Sequence, residues 1–137
     1  MQIHQTNPFG YIFKQILMRS NDNFQDVNVS KLYKLIMPPG NIYLEHSVHD
    51  DLEGWVEALD MLCNSYMKPF QNRLVLDFSQ YPCSRCHRRS EKLDELMIML
   101  GNIQELFDKH AGEKISNSFI NMMTGYMVHF VEQISLL

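Results

Sequence analysis

The side chains best suited to chemistry cluster near the middle of the chain, in Tyr81-Pro-Cys-Ser-Arg-Cys-His87. Cys83 and Cys86, three residues apart, can form a redox pair or offer two thiolates to a metal. His46 and His49 repeat that spacing and would complete a tetrahedral zinc site of two nitrogens and two sulfurs. With His87 the motif also has the Cys-x-x-Cys-His form of covalent haem attachment, a chemistry of exported chains. Two unlinked thiols in a turn is the simplest alternative, and no resident metal or cofactor is expected. The other singular residue is Arg73, the one cation in the apolar run Phe70 to Phe78. On a buried helix a lone cation is costly until it meets an anion, so Arg73 suggests a binding surface for an acidic partner. No nucleophile has a recognisable base, no glycine-rich loop could cradle phosphate, and the acidic residues are spread over helix faces. The expectation is a binding protein and not an enzyme.

Composition narrows the class. A chain of 137 residues, 45% hydrophobic and 20% charged, can bury a core and is expected to be one domain spanning 1–137. The net charge of -4 argues against a general nucleic-acid binder. Arg85, Arg88, Arg89 and Lys92 read as a solvated turn ahead of a helix, with a patch for RNA or an anionic partner as the alternative. Three cysteines, an odd number, and an N-terminus without a basic or apolar leader region suggest a cytoplasmic chain with free thiols. Phe119 to Leu137 is apolar but interrupted by Asn121, His129, Glu132 and Gln133, so no membrane anchor is expected. Ten methionines suit adaptable core filling or a peptide-accepting groove, and such a groove could also support a homodimer.

The elements that must position these residues read as helices. Asn7-Pro8 is an N-cap followed by proline in the first turn, and Phe9, Ile12, Phe13, Ile16 and Leu17 carry a first helix to about Arg19. Ser20 to Asn28 reads as a loop. Ser30 can cap a short second helix through Leu32, Leu35 and Ile36, ended by Pro38-Pro39-Gly40. Asn41 to His46 is compatible with an extended segment, which the sequence does not decide. Asp50-x-x-Glu53 has capping-box spacing ahead of a stripe at Leu52, Trp55, Val56, Leu59, Leu62, Cys63 and Tyr66. Phe70 to Tyr81 fits both periods, Phe70, Leu74, Phe78 and Tyr81 for a helix and Leu74, Leu76 and Phe78 for a strand; its helical surroundings favour a helix. Ser90 caps a helix with Leu93, Leu96, Met97, Leu100, Ile103 and Phe107 inward. Its apolar run Leu96 to Leu100 suggests a central position. After Ala111-Gly112 a last helix carries Phe119, Met123, Tyr126, Met127, Phe130, Ile134 and Leu137 on one stripe. The fold class expected is all-α, a bundle of about six helices.

Two resemblances add to this reading. Arg73-Leu-Val-Leu-Asp-Phe-Ser79 resembles the first homology motif of the B-cell-lymphoma-two (Bcl) family of apoptosis regulators, and the order of helices is similar to that fold. The resemblance implies a Bcl-like bundle, of the kind viruses also encode. Such a bundle inhibits apoptosis by taking an amphipathic death-motif (BH-three) helix of a pro-apoptotic partner into a hydrophobic groove. Arg73 would then pair with that helix's aspartate, beside Asn72. Helix faces nominate Leu59, Leu62, Tyr66, Phe70 and Leu76 as groove lining. Tyr81 to Cys86, with Trp55 upstream, resembles the redox centre of flavin-linked sulfhydryl oxidases, which implies flavin held against a Cys-x-x-Cys at a helix start.

Overall fold

The computed structural model describes residues 7–18, 34–68, 72–79 and 90–137. They form α1 (Pro8–Leu17), β1 (Tyr43–Ser47), α2 (Leu52–Met67), β2 (Arg73–Asp77), α3 (Glu91–Lys109) and α4 (Asn117–Ser135). Four helices and a two-stranded parallel sheet make this an α/β arrangement, which overturns the all-α, Bcl-like bundle of about six helices.

The helical reading fails first at Arg73–Asp77. A helix would gather Leu74 and Phe78 on one face and leave Leu76 on the other. Alternation instead turns Leu74, Leu76 and Phe78 toward the core and leaves Arg73 and Val75 outside. The strand also has a backbone partner. β1 and β2 run parallel in the register Tyr43↔Arg73 through Ser47↔Asp77, and bonds of 2.8 Å from Arg73 N–H to the Ile42 carbonyl and from Val48 N–H to the Asp77 carbonyl extend the ladder. α2 connects the two strands, so the sheet is part of a β-α-β unit.

The short second helix fails in its described part. Leu35 forms an antiparallel bridge with Lys114, Ile36 N–H donates to the Glu113 carbonyl at 2.8 Å, and Met37 N–H to the Tyr66 carbonyl at 2.8 Å. Pro38-Pro39 disfavours helical geometry in the residue before it, and the extended path buries Ile36 completely. The segments Ser20 to Asn28 and Ser30 to Leu32 lie outside the described residues.

The remaining helices follow their stripes. Asn7 Oδ1 accepts from Phe9 N–H at 3.0 Å and so caps α1, with Pro8 at its start. The cap of α2 is displaced by one residue from the expected box: Asp51 accepts from Gly54 N–H at 2.6 Å, while Asp50 accepts from the Trp55 indole at 3.1 Å. Ser116 caps α4 by accepting from Phe119 N–H at 3.1 Å. Ser90 occupies the N-cap of α3 without a side-chain cap bond. The apolar run Leu96 to Leu100 of α3 is not buried all round, because Ile98 faces solvent. Gly112, at φ 87°, turns the chain from α3 toward α4, a conformation that favours glycine.

The core lies where α1, α2, α3 and α4 meet. Phe107 stacks on Tyr66 with ring centres 4.8 Å apart and meets Phe9 and Phe119 edge-on at 6.4 and 5.0 Å. Phe130 joins this cluster's far end, 5.7 Å from Phe13 and 5.6 Å from Trp55.

Candidate functional site

The expected lining residues divide between core and surface. Leu59 and Tyr66 on α2 are buried in the core and line no open groove. Asn72 and Arg73 are exposed at the start of β2, and Phe70 lies outside the described residues. Leu62 and Leu76 do come together. They border a cleft of about 190 Å³ in which Leu74 and Leu76 of β2, with Phe78 just after it, face Met97, Leu100, Gly101 and Gln104 of α3. Leu62 and Leu100, both nearly inaccessible, form its floor. At Gly101 nothing among the described residues comes within contact distance of where a Cβ would stand, so the α3 wall is open there among them.

The cleft exists because β2 is a strand. Its inward residues alternate at a spacing that sets two leucines and a phenylalanine in one row beside α3. Leu76 was nominated from a helix face, but it reaches the cleft through the opposite periodicity. Leu74, Phe78, Met97 and Gly101 were missed as lining because the sequence does not show that β2 lies beside α3.

Arg73 opens a strand and not a helix, so the helix headed by this arginine has no counterpart here. Its charge still acts locally. The Tyr66 hydroxyl donates to Asp108 Oδ1 at 2.7 Å, and its pKa is raised, first by burial and then by Asp108; Gln104 and Arg73 oppose the shift.

A second polar feature sits in the seam between α1 and α2. Oδ1 of Asp60 is buried without a hydrogen-bond partner among the described residues. Burial pushes the Asp60 carboxyl up to about 7, with the charge of Glu57 adding and the Asn7 backbone N–H opposing. Gly10 makes this contact possible, because a Cβ there would overlap the carboxylate. Cys63, free and wholly buried one turn further along α2, has its thiol pKa raised by burial and by Asp60. Helical spacing carried a signal for Asp60: it falls four residues after Val56 and three before Cys63, at the margin of the buried stripe.

The metal and redox readings are placed only in part. His46 Nε2 lies 3.9 Å from Glu57 Oε1, and His49 is exposed. Cys83, Cys86 and His87 lie outside the described residues, as do Arg85, Arg88 and Arg89. Among the described residues no group of three or more His, Cys, Asp or Glu side chains could hold a metal ion. No helix among them is long and apolar enough to cross a membrane. No family model matches the chain, and no curated protein or solved structure shows significant similarity to it.

Proposed function

We propose that the protein is a binding module that takes an apolar anchor of a partner's amphipathic helix into the cleft between β2 and α3. The observation that carries this reading is the cleft itself, lined mainly by apolar side chains with Gln104 on the α3 wall, and open at Gly101 among the described residues. At about 190 Å³ it is smaller than the roughly 300 to 1,000 Å³ of typical small-molecule sites, and suits one or two side chains better than a cofactor. Helices that dock in grooves present anchors at i, i+3 or i+4, and i+7, and one such anchor matches this cleft. The partner class expected from the sequence, an amphipathic helix of the death-motif type, is retained as the first candidate. Its receptor is now a strand-helix cleft in place of a helical groove.

Calorimetric titration against a panel of amphipathic helical peptides, death-motif sequences included, tests the proposal. At least one peptide is expected to bind. Gly101→Trp should fill the open wall and weaken that binding at least about tenfold, or about 1.4 kcal/mol, with an unchanged far-ultraviolet spectrum. Absence of binding across the panel would end the proposal, and binding indifferent to Gly101→Trp would move the site elsewhere.

A further inference from the structure

Among the described residues nothing packs on one face of the two-stranded sheet. Leu74 and Leu76 point inward, so Tyr43 and Glu45 of β1 and Arg73 and Val75 of β2 share the outward face. All four are exposed, Tyr43 at 66% and Val75 at 43%. Parallel sheets occur almost only with both faces covered, and a two-stranded sheet alone is marginal in water. The strand edge of β1 carries neither the lysine nor the proline that commonly protects such edges.

The pattern on this face is self-complementary. In the observed register Tyr43 lies beside Arg73 and Glu45 beside Val75, so one diagonal of the face joins the two apolar residues and the other joins the two opposite charges. Neither Glu45 nor Arg73 is in an ion pair among the described residues. We infer that a second copy of this chain covers the face, related by a two-fold axis along the Tyr43–Val75 diagonal. Rotation about that axis sets each Glu45 against the other copy's Arg73, Tyr43 on Tyr43 and Val75 on Val75. Such a contact is isologous and closes at two chains. From ordinary strand spacing the diagonal makes roughly 35° with the strands, so the two sheets would cross at roughly 70°, close to the orthogonal class of sheet packing. The area offered by two short strands belongs to the weak interface class, so the dimer is expected to have a dissociation constant above about 10 μM.

Sedimentation velocity of the full chain from about 10 μM to about 1 mM tests this. The wild type should rise with concentration from the mass of one chain toward that of two, and added salt should oppose the rise. Glu45→Arg alone and Arg73→Glu alone each place like charges in both pairs and should weaken self-association at least about tenfold. An equimolar mixture of the two variants should recover wild-type association, because each introduced charge then faces its complement, and the double variant should do the same. A wild type that stays monomeric throughout would overturn the inference. So would single variants that associate as the wild type does, or a mixture no tighter than its components.

Discussion

Asp60 places a carboxylate where the fold solvates it poorly, and its consequence is a pH-dependent stability. Its pKa rises from the ordinary 3.8 to about 7 in the folded state. Below about pH 3 the acid is neutral in both folded and unfolded chains, and no penalty arises. As pH climbs through the interval to about 7 the unfolded chain ionises first, so stability is lost across that window and the full penalty remains above it. The shift alone would correspond to about 4 kcal/mol, but the side chain is only half-buried, and solvent screening reduces this to an order of 1 to 2 kcal/mol. Asp60→Asn keeps the shape and removes the charge. It should stabilise the protein by that amount in urea denaturation at about pH 8 and have little effect at about pH 3, so the pH slope of the wild type should flatten. Equal stabilisation at both pH values would show that shape and not charge sets the effect.

The helices begin at caps that differ in chemical quality. Asp51 satisfies the Gly54 N–H, so Asp51→Ala should cost about 1 kcal/mol of stability. Ser90 makes no side-chain cap bond, and Ser90→Ala should cost less than about 0.5 kcal/mol in the same denaturation experiment. A larger loss at Ser90 than at Asp51 would contradict the cap geometry. The expected box begun by Asp50 is one residue early because two adjacent aspartates precede the stripe, and the periodicity of α2 does not choose between them. The choice is tertiary: Asp50 is drawn to the Trp55 indole, which leaves Asp51 at the helix end.

At the scale of the whole fold, Phe107 couples the largest number of elements through rings among the described residues. It touches Phe9 of α1, Tyr66 of α2 and Phe119 of α4 while belonging to α3. Phe107→Ala should therefore cost about 3 to 5 kcal/mol. That is a large share of the roughly 5 to 15 kcal/mol typical of a whole domain. The expected result is a urea midpoint far below that of the wild type, whereas truncation of the exposed Ile98 to Ala should leave it nearly unchanged. Comparable losses for the two would place the core elsewhere.

The sequence by itself determined the helices whose burial needs only one stripe and one cap. Asn7-Pro8 with Phe9, Ile12 and Phe13 specifies α1, and Phe119, Met123, Met127 and Phe130 specify the buried face of α4, because residues three and four apart share a face whatever lies opposite. Only the tertiary structure decided the sheet. Arg73–Asp77 carries apolar residues that satisfy either period, and what makes it a strand is a backbone partner some thirty residues earlier, set in register across α2. The cleft depends on the same fact. Leu76 could be named from the sequence, but its meeting with Leu62 and Met97 required β2 to lie beside α3, a long-range arrangement that local spacing does not encode. The seam at Asp60 is similar: the stripe brings the carboxylate to the margin of the core, and only the close approach of α1 at Gly10 leaves one of its oxygens buried without a partner among the described residues.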